Sequence, residues 1–262
     1  MRKYYTRPCN FYYGKLAKYL INKKKALPLA GNFSIAFDQI EVFERKKGGL
    51  TKSKFYPLNE IQNIQKKIKN LINLDLKKII SKRKTNLKLN FNQPQIMGVL
   101  NITPDSFSDG GLFYDENKAF AQVKKMIKNG ATIIDIGGES TRPGSKTIHA
   151  KEEWERIKKT IIKVKKKFKK IVLSLDTRKS YVMKLGIQNG VSIINDVSGL
   201  NFDKKSFNII NLKKIPFILH HMQGTPKTMQ VNPRYNDVIL DIYDFFEKKI
   251  NFCRKKKYKK II

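Results

Sequence analysis

Residues 171–177 (IVLSLDT) form a short aliphatic run that ends in a carboxylate and a hydroxyl. Four other stretches follow the same plan: residues 95–101 (QIMGVLN), 131–138 (ATIIDIGG), 191–197 (VSIINDV) and 216–222 (PFILHHM). Runs this short and this apolar read as strands buried on both faces, as in a parallel sheet. Helical stripes lie between them. Ile157, Ile161, Val164 and Phe168 recur at helical spacing with Lys at most intervening positions. Ile239, Ile242, Phe246, Ile250 and Cys253 repeat that pattern near residue 253. Alternating strand and helix predicts an α/β protein. Periodicity alone leaves both an open doubly wound sheet and a closed (β/α)8 barrel open.

Polar residues gather at one end of these strands. Asn101, Asp135, Asp176, Asn195, Asp196, His220 and His221 all fall at or near strand C-termini, the edge that carries active sites in both architectures. His220 and His221 are adjacent, and neighbours on a strand point to opposite faces, so the pair does not suit one metal ion. One is expected to line the site and the other to pack. Trp154 and Cys253 read as packing residues.

Residues 1–94 have a different texture and contain no catalytic motif. Phe33, Ile35 and Phe37 alternate with smaller or polar residues and predict a strand. Ile61, Ile64, Ile68 and Leu71 predict a helix, and residues 82–93 (KRKTNLKLNFNQ) read as a polar linker. The expected organisation is therefore a small α/β extension over 1–94 and a main domain over 95–262.

Composition narrows the function classes. With 262 residues and 40% hydrophobic content, the chain can fill a sizeable core and does not read as disordered. Two cysteines exclude a disulfide-stapled secreted fold and a thiolate zinc site. No long uncharged apolar run or signal-type segment occurs, so a cytoplasmic protein without a membrane span is expected. The net charge of +34 suggests a polyanion partner, but only nine of the 55 cations are Arg, the side chain that reads bases and clamps phosphates bidentately. A lysine-coated solvated surface is the simpler reading, and no specific nucleic acid is expected.

Two loops carry the most chemistry. Residues 101–111 (NITPDSFSDGG) follow a strand with polar side chains, Pro104 and a glycine pair, a composition that could bind an anion or a metal-bound phosphate. Residues 137–144 (GGESTRPG) also follow a strand; glycines admit a ligand close to the backbone and Arg142 can clamp an oxyanion. Asp176 and Asn195 are side chains able to read the donor and acceptor edge of a heteroaromatic ring.

MGVLNITPDSFSDGG, DIGGESTRPGS, LSLDTRKS, INDVSG and HHMQGTPKTMQ, in this order and spacing, closely resemble the dihydropteroate synthase family over roughly residues 95–262. The resemblance implies a TIM barrel, (β/α)8 in the complete family, with residues 1–94 as an N-terminal extension of unknown role. It implies condensation of 7,8-dihydropterin-6-ylmethyl pyrophosphate with para-aminobenzoate, giving 7,8-dihydropteroate and pyrophosphate, with Mg²⁺ as cofactor. Asn101 resembles the residue tied to Mg²⁺. Thr141, Arg142 and Pro143 resemble second-loop residues near the pyrophosphate and aminobenzoate. Asp176 and Asn195 resemble pterin ligands, and Phe107 and Asp109 resemble first-loop residues that close over the reacting centre. The alternatives are a pterin-binding methyltransferase domain, which suits the two loops less well, and a non-catalytic basic polyanion binder.

The family continues with a DPG-containing loop, an SRK segment and a final strand, none of which occurs in this sequence. Residues 258–262 (YKKII) read as the start of a sixth strand. The expectation is a barrel represented through about strand five or the start of strand six, short of the helices that form the family's homodimer interface. As it stands, such a chain is expected to be poorly stable and inactive.

Overall fold

The five apolar runs form five parallel strands in the computed structural model, which describes residues 3–46, 51–82, 89, 93–103, 116–140, 142 and 144–262. They are β5 (Met97–Asn101), β6 (Ile133–Gly137), β7 (Val172–Asp176), β8 (Ile193–Asp196) and β9 (Phe217–Leu219). Their spatial order is their chain order, β5-β6-β7-β8-β9. A doubly wound sheet reverses order at a switch point. This sheet has no reversal among the described strands, so it is part of a barrel wall. Lys260 and Ile262 hydrogen-bond to Phe217 and Leu219, and Ile261 bridges Phe217 in parallel, where a sixth strand is expected to begin.

The helices are α3 (Glu116–Lys128), α4 (Ala150–Lys167), α5 (Ser180–Gln188), α6 (Ser206–Lys213) and α7 (Val238–Lys255). Strand alternation sorts side chains between two faces. Leu100, Ile134, Ile136, Leu173, Leu175, Ile194, Phe217 and Leu219 share a core with Val123, Ile157, Ile161, Val164, Val182, Met183 and Ile210 from helices. That is the outer face of the wall. The opposite face has an apolar floor: Ile133 and Ile193 pack with Leu89, Met97, Val172 and Ile218. Residues 82–93 therefore contain a core residue, since Leu89 is buried against this floor. The stripe read for α7 is right at Cys253, which is buried, but Ile239 in the first turn is exposed.

The chain divides into two compact units, Met1–Thr85 with Tyr235–Asp241 and Asn86–Arg234 with Ile242–Ile262. The first unit holds an antiparallel sheet in which β3 (Asn32–Arg45) pairs with β1 (Lys3–Tyr13), β2 (Leu27–Leu29) and β4 (Thr51–Pro57). Helices α1 (Gly14–Asn22) and α2 (Lys66–Ile80) complete it. Phe37, Ile40 and Val42 of β3 pack against Ile61, Ile68 and Ile72. The helix expected from Ile61 onward begins later, at Lys66, with Ile61 in a separate single turn. The strand expected at 33–37 is the first part of β3. No helix among the described residues is long and apolar enough to cross a membrane.

Candidate active site

Above the apolar floor, the inner face of the barrel wall turns polar toward the strand C-termini. Asn101, Gly137, Asp176 and Asn195 occupy one register row, each paired with the next. Gly137 matters because it has no side chain. A Cβ there would stand 3.1 Å from Asn101 Oδ1 and 3.5 Å from Asp176 Oδ2. Its absence leaves the Asn101 and Asp176 side chains uncrowded by one at position 137.

The Asn195 amide is held at both ends. Its Nδ2 donates to Asp135 Oδ2 at 2.8 Å, and its Oδ1 lies 2.6 Å from His220 Nε2. His221 instead packs edge-on against Phe245, with ring centroids 4.8 Å apart. Asp196 lies on the other face of β8 and shapes the loop that follows. Its carboxylate accepts from the Ser198 N–H and hydroxyl at 2.9 and 2.7 Å and from the Leu200 N–H at 3.0 Å.

Several carboxyls therefore crowd a poorly solvated region. Burial pushes Asp176 up to about 8, and the charges of Asp135, Glu153, Asp196 and Glu139 add to it. Burial also raises Asp135 and Asp196, each partly offset by its hydrogen bonds. Clustered carboxylates with raised proton affinity, next to an amide held at both ends, mark a functional site rather than a packed core.

A second layer of charge sits behind the loop after β6. Arg178 Nε donates to Glu139 Oε2 at 2.9 Å, and Lys179 Nζ donates to Glu139 Oε1 at 2.8 Å and to Glu153 Oε2 at 2.5 Å. The Ile148 N–H donates to Glu139 Oε1 at 3.0 Å, and Arg178 Nη2 reaches Thr147 Oγ1 at 2.8 Å. All four charged side chains are buried. Burial pushes Glu139 up, but its bonds to Arg178 and Lys179 outweigh this and leave it below the ordinary glutamate range. Glu153 stays raised, because burial outweighs the pull of Lys179. The network fixes both ends of the stretch that carries Arg142. The Gly144 N–H donates to Pro226 O at 3.2 Å, joining that stretch to the 223–229 loop.

Of the residues expected from sequence, Asn101, Asp176 and Asn195 come together in the register row. Arg142 lies on the exposed loop after β6, its backbone held by Ser145 N–H. Thr141, Pro143, Phe107 and Asp109 lie outside the described residues. Sequence reading assigned no role to Glu139, Glu153, Arg178 or Lys179. One signal was available: Glu153 lies one helical turn before Ile157, on the apolar stripe of α4. His220 was expected only to line the site or pack, and its bond to Asn195 had no local signature.

The pterin binding enzyme family model matches residues 97–261. Dihydropteroate synthase of Haemophilus influenzae is 43% identical over 165 residues, covering 63% of this chain and 59% of that protein. The Escherichia coli K12 dihydropteroate synthase is 39% identical over 165 residues, covering 63% and 58%. The chain thus spans less than two thirds of the length of these relatives. Among solved structures, Yersinia pestis dihydropteroate synthase with a sulfonamide drug complex superposes with a TM-score of 0.61 at 39% identity, covering 67% of this chain and 63% of that one. Xanthomonas albilineans dihydropteroate synthase with 4-aminobenzoic acid gives 0.60 at 32% identity, covering 66% and 61%. A consecutive parallel barrel wall, a polar row at its C-terminal edge and a family match over most of that wall agree: the chain belongs to the pterin-binding enzyme family.

Proposed function

We propose that this chain serves dihydropteroate synthesis, joining a dihydropterin-6-ylmethyl pyrophosphate to para-aminobenzoate with release of pyrophosphate. The observation that best supports this reading is the row Asn101–Gly137–Asp176–Asn195 at the barrel mouth. A pterin presents an amino group and a ring N–H beside carbonyl and ring-nitrogen acceptors. Asp176, once ionised, accepts from two adjacent donors, and Asn195 supplies both a donor and an acceptor. Relatives solved with 4-aminobenzoic acid and with 7,8-dihydropteroate point the same way.

In the reaction, the aryl amine nitrogen bonds to the exocyclic methylene carbon of the pterin. The C–O bond breaks, pyrophosphate leaves with the electron pair, and the amine proton passes to water. No side-chain nucleophile is required. Arg142 meets the charge that grows on the leaving group, an interaction strongest in the transition state. The family resemblance assigns Thr141 and Pro143 to substrate binding and Phe107 and Asp109 to excluding water from the reacting carbon. Asn101 would hold Mg²⁺ through Oδ1. Among the described residues no group of three or more His, Cys, Asp or Glu could hold a metal ion. One neutral oxygen suits a hard cation that arrives on its phosphate and keeps several waters. When bound, that cation neutralises charge on the pyrophosphate.

Pterin recognition is the part of this proposal that the register row carries by itself. Calorimetric titration of the chain with 6-hydroxymethyl-7,8-dihydropterin is expected to give one saturable site, lost in Asn195→Ala. Absence of saturable binding by the unsubstituted chain would overturn the proposal.

A further inference from the structure

We infer that His220 is a positioning residue for the pterin site, fixing the Asn195 amide in one of its two orientations; this rests on the pterin reading above. The two ends of a primary amide are nearly equal in shape and opposite in hydrogen-bonding character. Which edge Asn195 offers a ligand therefore depends on its neighbours. Asp135 cannot set this by itself. It meets only the nitrogen end of the amide, and His220 Nε2 meets the oxygen end. With His220 in the tautomer that carries its N–H on Nε2, 2.6 Å from Asn195 Oδ1, the orientation is fixed. That N–H requires the amide oxygen to face β9, and so sends Nδ2 to Asp135 Oδ2 at 2.8 Å. One amide N–H and one carbonyl lone pair then remain for a heteroaromatic edge that carries an acceptor beside a donor.

The fold holds His220 still enough for this task. Gly199, in the loop after β8, has φ +58, and a Cβ there would stand 2.4 Å from His220 O. Only glycine lets that loop close so tightly on the His220 backbone. Asp135 and Asp196 are the carboxyls whose charge interacts with His220.

The test uses His220→Met, which keeps bulk without a donor, and His220→Gln, which restores an N–H. Two readouts are taken on the full chain: the Asn195 side-chain amide signals by NMR, and calorimetric affinity for 6-hydroxymethyl-7,8-dihydropterin. In His220→Met the Asn195 amide is expected to lose its protected, non-averaged signals, and pterin affinity to fall by about 10-fold, the worth of one hydrogen bond. His220→Gln should recover both, whereas a merely structural histidine would not be rescued this way. Unchanged Asn195 signals in His220→Met would overturn the inference. So would lost orientation with full pterin affinity. Failure of the unsubstituted chain to bind pterin would instead sink the functional reading, while the NMR arm would still decide whether His220 orients Asn195.

Discussion

Asp176→Asn should make the protein more stable and nearly blind to pterin. The folded protein holds the Asp176 carboxyl up to about 8, chiefly through burial and then through the charges around it. In an unfolded chain an aspartate titrates near 4. The folded state therefore binds the extra proton between those values, and linkage requires stability to fall as pH rises from about 4 to about 8 and then level off. Asparagine removes the charge and the pH dependence with it. The expected gain is about 2 kcal/mol at pH 8.5 and close to nothing at pH 4.5, read from urea unfolding at the two values. Binding moves the other way. Two charge-assisted hydrogen bonds to pterin donors are replaced by weaker ones, for a loss of about 100-fold in affinity. Equal destabilisation at both pH values would show that Asp176 is a structural carboxylate.

Lys179→Met is the largest expected loss of stability. Lys179 Nζ lies 2.8 Å from Glu139 and 2.5 Å from Glu153, and all three side chains are buried. Methionine keeps most of the volume but removes the cation that Glu153 depends on and one of the two that serve Glu139. Leaving a buried carboxylate without its partner costs about 3–5 kcal/mol, well above the worth of an exposed pair. In a domain of this size that is about 10 °C in melting temperature. Adding Glu153→Gln to Lys179→Met should recover part of the loss, because one of the stranded charges is gone; the two substitutions act on one network and will not add. A loss below about 1 kcal/mol for Lys179→Met would mean that Arg178 and water carry the charge balance.

Sequence alone revealed what depends on short-range pattern. The strands at 97–101, 133–137, 172–176, 193–196 and 217–219 were visible because each is a brief aliphatic run with a polar end, and α4 because its apolar stripe repeats at helical spacing. Periodicity could not choose between a barrel and a doubly wound sheet. That choice depends on strand order, which is a long-range property, and the family resemblance supplied it. The β1 strand went unread because only Tyr5 in it is buried, so it lacks a clean alternation of apolar and polar residues. The register row was half visible: Asn101, Asp176 and Asn195 were expected at strand ends, but their alignment through Gly137 needed the pairing itself. The Glu139–Arg178–Lys179–Glu153 network was hidden for a related reason. Its members come from two successive βα connections, after β6 and after β7, and a charged residue in sequence looks the same whether it ends in water or in a buried ion pair.

Where a pterin sits decides whether the Asn101–Gly137–Asp176–Asn195 row is its site. A crystal structure of the chain soaked with 6-hydroxymethyl-7,8-dihydropterin is the most direct measurement. The ring should lie at the C-terminal edge of the barrel wall, with its amino group and ring N–H about 3 Å from Asp176 and its neighbouring edge on the Asn195 amide. A pterin bound elsewhere, or density at that edge with the ring turned away from Asp176 and Asn195, would contradict it.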